Sequence, residues 1–73
     1  MYDVQKVECN DGTWKWIVVG IHVAYRDIPC IQAGMFESKT EAMKMACAYS
    51  AVPWKERKAW RAEVARIRKL QRR

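Results

Sequence analysis

Residues 54–73 contain neither glycine nor proline and are rich in the strong helix formers Ala, Arg, Lys, Glu and Leu. Plotted at 100° per residue, one arc of about 120° is apolar; its members are Trp60, Val64, Ile67 and Leu70. The pattern predicts a long amphipathic helix over residues 53–73. Because the chain has only 73 residues, one domain with a modest core must cover this apolar stripe.

Nearly all the net positive charge lies in the same segment. Residues 1–53 hold five basic and six acidic residues, whereas residues 54–73 hold nine basic residues against Glu56 and Glu63. The cations fall on roughly the half of the helix opposite the apolar stripe, and arginine predominates there. Such a face can simply be solvated, but a solvated helix usually mixes charges of both signs.

Arginine forks pair bidentately with phosphate and carboxylate groups. We therefore predict a polyanionic partner, either nucleic acid or an acidic protein surface. Trp54 projects onto the basic side, where it can stack on a base, anchor a partner, or pack against the first helix. The predicted binding residues are Trp54, Lys55, Arg57, Lys58, Arg61, Arg66, Arg68, Lys69 and Arg72.

Residues 1–37 are predicted to form a three-stranded antiparallel meander. Asp11-Gly12 between two strand-like runs is typical of a hairpin turn, since glycine supplies the positive φ of tight turns. The second strand is expected to run through a bulge at Gly20 as far as Tyr25, with separate strands on either side of Gly20 as the alternative. The third strand is expected over residues 30–36.

A first helix is predicted within residues 38–52. The Ser38 hydroxyl can cap it by accepting a hydrogen bond from the Glu41 amide. The fold class is therefore α+β, with a β-meander followed by two helices, the second long and basic. Because the central strand is apolar on both faces, either the second helix or a second copy of the chain must cover one of them, so a homodimer remains an alternative.

Nothing in the sequence assembles a catalytic, cofactor or metal site. The tryptophans of the second strand, Trp14 and Trp16, are interpreted as core residues beneath a helix. Cys9, Cys30 and Cys47 lack paired spacing and fit free thiols in a reducing compartment. The opening residues lack the pattern of a signal peptide. We expect a cytoplasmic, non-enzymatic binding protein without a small-molecule substrate; a helix bound at a membrane surface is the weaker alternative.

One further pattern combines strand, cap and helix residues: Trp16-x-Val18, Phe36 and Ser38-Lys39-x-Glu41-Ala42, followed by Ala46 and Tyr49. Over about residues 14–50 it resembles small strand-strand-helix proteins encoded by phages, among them anti-CRISPR proteins and inhibitors of host polymerases. The resemblance implies an inhibitor of host machinery acting in the host cytoplasm.

Many such inhibitors are acidic mimics of nucleic acid, whereas this chain is basic. A basic inhibitor would bind an acidic protein surface or the nucleic acid itself. The alternative is a DNA- or RNA-binding accessory protein without sequence specificity, acting as a homodimer.

Overall fold

The computed structural model describes residues 1–71 and confirms the predicted α+β class. Strand β1 (Tyr2–Glu8) and strand β2 (Trp14–Gly20) form an antiparallel hairpin in which Tyr2 pairs with Gly20 and Glu8 with Trp14. The predicted turn is present. Gly12 has φ +83°, and the Asp11 carboxylate accepts hydrogen bonds from the backbone amide of Thr13 at 3.0 Å and from its hydroxyl at 2.6 Å.

The second strand ends at Gly20, so the predicted continuation to Tyr25 is wrong. Ile21 is buried, and its amide still donates to the Met1 carbonyl at 3.0 Å. His22 Nδ1 then accepts a hydrogen bond from the Ala24 amide at 3.0 Å, which folds the backbone into a bend. A local side-chain acceptor thus replaces the sheet ladder at this point.

The third strand exists only in two short pieces, β3 (Ile28–Pro29) and β4 (Met35–Phe36), both antiparallel to β2. Between them lies a 3-10 turn over Ile31–Ala33, which closes at Gly34 with φ +81°. The predicted continuous strand over residues 30–36 is therefore wrong for most of its length. Gly34 adopts a left-handed conformation that other residues reach only with strain.

Helix α1 (Lys39–Tyr49) starts at the predicted cap, where the Glu41 amide donates to the Ser38 hydroxyl at 3.4 Å. It ends in a Schellman motif: the Ala51 amide donates to the Ala48 carbonyl at 3.0 Å and the Val52 amide to the Cys47 carbonyl at 2.9 Å. Ala51 occupies the left-handed position of this motif with φ 59°. A 3-10 turn over Trp54–Glu56 then leads into helix α2 (Arg57–Gln71).

Helix α2 crosses the free edge of β1 and covers parts of both faces of the sheet. Since side chains alternate along a strand, Val18 and Val19 point to opposite faces. Trp60, near the start of α2, packs with Val18, whereas Ile67, near its end, packs with Val19. The second helix thus covers part of the face for which a second copy of the chain was the alternative. Of the predicted apolar stripe, Trp60 and Ile67 are buried, while Val64 and Leu70 are half-buried.

The crossing also satisfies the backbone at the start of β1. The Tyr2 amide donates to the Ser50 hydroxyl at 3.0 Å, and the Tyr2 carbonyl accepts from Trp60 Nε1 at 2.7 Å. Edge strands otherwise leave such groups open to pairing with other chains. The side chains of Ser50 and Trp60 therefore take up the hydrogen-bonding groups that Tyr2 would otherwise leave open on the edge of the sheet.

The strained C-cap of α1 gives the first prediction. Replacement Ala51→Gly should raise the free energy of unfolding by about 0.5–1 kcal/mol, since glycine adopts φ near +60° without the penalty carried by other residues but is also more flexible when unfolded. Urea denaturation measures the change.

The matched control is Ala48→Gly, an exposed position inside α1. It should lower the free energy of unfolding by about 0.5–1 kcal/mol. Destabilisation by both substitutions would contradict the left-handed assignment of Ala51.

Candidate functional site

The positive charge of α2 is not uniformly available, because Arg68 is held by carboxylates of its own chain. Its Nε and Nη2 donate to Asp3 Oδ2 at 3.0 and 2.9 Å, and its Nη1 donates to Asp27 Oδ2. Gln71 completes the network by donating to Asp27 Oδ1 at 3.1 Å and to the His22 carbonyl at 2.8 Å. Burial opposes the charged form of Arg68, but the hydrogen bonds to Asp27 and Asp3 outweigh it and raise the pKa of the guanidinium.

Arg66 is also paired, although in solvent. Its guanidinium forms a fork with both carboxylate oxygens of Glu63, one turn earlier on α2. The hydrogen bond from Arg66 lowers the pKa of the Glu63 carboxyl. The expectation of a cationic half-surface without acidic partners is therefore wrong at Arg66 and Arg68. The predicted site residue Arg72 lies outside the described residues.

Three predicted cations near the start of α2 stay open. No carboxylate within residues 1–71 forms an ion pair with Arg57, Lys58 or Arg61, and all three side chains are exposed. Lys55 and Lys69 are exposed as well. Within residues 54–71, four of the five exposed cations without an ion pair therefore lie at the end of α2 beside α1, and Lys69 lies at the other end.

Arg57, Lys58 and Arg61 line a concavity of about 240 Å³ between the two helices. The other residues that line it are Thr40, Met43 and Trp54. A larger concavity of about 420 Å³ adjoins it over the sheet and shares Met43 and Arg61, while adding Lys39, Trp16, Trp60 and Val64 among its walls. We call the two together the α1–α2 groove. Its floor is apolar and aromatic, and its rim is cationic except for Asp3, which is paired with Arg68. This arrangement suits a ligand with planar rings and negative groups.

Trp54 is half-buried and packs against the core next to α1. The guanidinium carbon of Arg57 lies 5.1 Å from its ring centroid, and Lys44 Nζ lies 5.8 Å away. The sequence left three roles open for Trp54: stacking on a base, anchoring a partner, or packing against the first helix. Its observed position is that of packing against the first helix. Trp54 also forms a wall of the groove.

Four residues that the sequence interpretation did not assign to a site lie together, three of them on the β1–β2 hairpin and Lys39 at the start of α1. Trp14, interpreted as a core residue, is 54% exposed, and Trp16 is half-buried. Lys6 Nζ lies 5.2 Å from the Trp14 ring centroid and 6.0 Å from that of Trp16, and Lys39 Nζ lies 5.2 Å from that of Trp16. Strand alternation in the hairpin could have placed Lys6 beside the two rings; the approach of Lys39 depends on how α1 docks.

The thiols and the remaining polar groups form no other centre within residues 1–71. All three cysteines are free, and burial raises the pKa of the Cys47 thiol despite the opposing charges of Arg57 and Arg61. No group of three or more potential metal ligands occurs in this part of the chain. Nor does any helix described there have the length and apolarity needed to cross a bilayer.

Comparison of the chain with protein-family models, with curated proteins and with solved structures finds no significant match.

The Arg68 network gives the second prediction. Replacement Arg68→Ala leaves Asp3 and Asp27 half-buried without their shared cation, so the free energy of unfolding should fall by about 1–2 kcal/mol. Thermal and urea denaturation measure the loss.

Arg66→Ala is the matched control, because it removes the same charge from a solvent-exposed pair on the same helix. Exposed pairs contribute little, so this variant should melt like the wild type. Equal melting temperatures for Arg68→Ala and Arg66→Ala would contradict the conclusion that Arg68 stabilises the fold more than Arg66 does.

Proposed function

We propose that this chain is a non-enzymatic binding module that holds nucleic acid in the α1–α2 groove. The observation that carries the proposal is the set of unpaired cations Arg57, Lys58 and Arg61 along a groove with indole walls. Lys39 and Lys44 extend the positive surface from the side of α1. Phosphates supply charge complementarity to this rim, and the aromatic floor suits bases or sugars.

The arrangement also limits the mode of binding. The open cations can contact about four or five phosphates. A plot of the logarithm of the association constant for a duplex against the logarithm of the salt concentration should therefore have a slope near −4. Arg68 does not add to this number, since Asp3 and Asp27 neutralise it. Sequence specificity should be weak, because contacts to phosphates carry no direct base information.

A module of this kind fits a modulator of a nucleic-acid-processing complex, such as the phage-type or anti-CRISPR inhibitors that residues 14–50 resemble. A specific observation favours a second candidate function, direct binding to a protein of that complex. Ile28, Ile31 and Met35 form an exposed apolar edge on the β3–β4 side of the sheet, and Ile31 is 88% exposed. Exposed apolar clusters often mark protein-binding surfaces.

The third prediction tests nucleic-acid binding. Replacement Arg61→Gln should weaken binding to a labelled oligonucleotide severalfold and reduce the salt slope by about 0.9 on duplex or about 0.7 on a single strand. Fluorescence anisotropy over a salt series measures both quantities.

The control is Arg66→Gln, which changes the net charge equally at a position about 140° away around the helix. It should leave the affinity nearly unchanged. An absence of binding by the wild type at low salt, or equal losses in the two variants, would refute the groove as a nucleic-acid site.

The fourth prediction concerns the second candidate. If the β3–β4 edge binds a protein of the complex, capture of that complex from host extract should persist after nuclease treatment. It should be lost in Ile31→Asp and kept in Arg61→Gln. Capture that disappears with nuclease and is insensitive to Ile31→Asp would contradict direct protein binding and leave nucleic acid as the bridge.

A further inference from the structure

The part of the sheet that α1 leaves uncovered exposes tryptophan. In the hairpin, Lys6 pairs with Trp16, and alternation places Trp14 on the same face. The buried residues of α1 pack on Val18 of this face. Helical cover therefore becomes sparse toward the hairpin turn, and Trp14 projects more than half of its surface into solvent.

Two ammonium groups lie near the two rings, Lys6 near Trp14 and Trp16 and Lys39 near Trp16, at 5.2–6.0 Å from the ring centroids. An exposed cation–π contact contributes only about 0.5–1 kcal/mol. A base stacked on an indole contributes about 1–3 kcal/mol. An arriving base can therefore displace a lysine from the ring, and the released ammonium remains close enough to pair with the adjoining phosphate.

Trp16 connects the exposed Trp14 ring with the groove, because it lies on the same strand face as Trp14 and lines the groove itself. Trp16 and Lys39 line the same concavity as Arg61, and Arg61 also lines the concavity that holds Arg57 and Lys58. Of the residues that line the two concavities, Asp3 alone carries a carboxylate, and this carboxylate is paired with Arg68. Glu8 stands opposite Trp14 on the same face and disfavours a phosphate there, which leaves that position to a base.

We propose that the ligand of this surface is single-stranded nucleic acid, with bases stacked on Trp14 and Trp16 and the backbone following Lys39 and Arg61 into the α1–α2 groove. The proposal rests on the nucleic-acid binding proposed above and narrows its ligand. Bases within a duplex are stacked on one another, and their faces cannot reach the two indoles. Stacking also tolerates any base, which agrees with weak sequence specificity.

Anisotropy titrations at one salt concentration should compare three ligands of about 12 nucleotides: oligodeoxythymidine, an abasic strand of equal length and charge, and a duplex. The thymidine strand should bind more tightly than the abasic strand by roughly 5- to 150-fold for each base that stacks on an indole. It should also bind more tightly than the duplex, although charge density alone favours the duplex.

Trp14→Leu should weaken binding of the thymidine strand roughly 5- to 150-fold, the contribution of one stacked base, and leave abasic binding unchanged. Tyr25→Leu, which alters an aromatic ring that is 71% exposed away from the groove, is the control and should bind like the wild type. Equal affinity of the wild type for the thymidine and abasic strands would overturn the inference while leaving phosphate binding intact. A complete lack of binding to all three ligands would overturn the proposed function as well.

Discussion

The contact between Trp60 and the start of β1 determines the arrangement of the rest of the structure. The Trp60 side chain is 2% exposed, packs with Val18, Met43 and Cys47, and donates its indole N–H to the Tyr2 carbonyl. In a domain this small, one indole is a large fraction of the core. The hydrogen bond connects the start of α2 to a backbone atom of an edge strand. The helix then continues past that edge toward the opposite face.

This path decides which cations of α2 are available. The second half of the helix carries Arg68 to Asp3 and Asp27, where the guanidinium joins β1 to the segment after the β2 bend. The first half leaves Arg57, Lys58 and Arg61 beside α1 in contact with solvent. One helix therefore serves both stability and the proposed binding: Trp60, Ile67 and Arg68 hold it on the sheet, and Arg57, Lys58 and Arg61 present charge. The net charge of the sequence does not distinguish cations that pair with carboxylates of the same chain from cations that stay open to a ligand.

Features governed by neighbouring residues could be predicted from the sequence. Asp11-Gly12 forms the hairpin turn, Ser38 caps α1, and the apolar period of residues 60–70 matches the buried side of α2. Features that depend on distant partners could not. The end of β2 at Gly20 depends on a competing acceptor on His22, and the loss of Arg68 from the open cations depends on carboxylates 65 and 41 positions away. The exposure of Trp14 depends on where α1 ends its cover of the sheet, which the alternation of β2 does not reveal.

Hydrogen exchange of the four tryptophan indole N–H groups, followed by NMR on isotope-labelled protein, tests the central contact most directly. The Trp60 indole should exchange slowest, at a rate approaching that of global unfolding, because its N–H is buried and bonded to the Tyr2 carbonyl. The exposed Trp14 indole should exchange rapidly under the same conditions. Exchange at Trp60 as fast as at Trp14 in the folded protein would contradict the docking of α2 across the edge of β1.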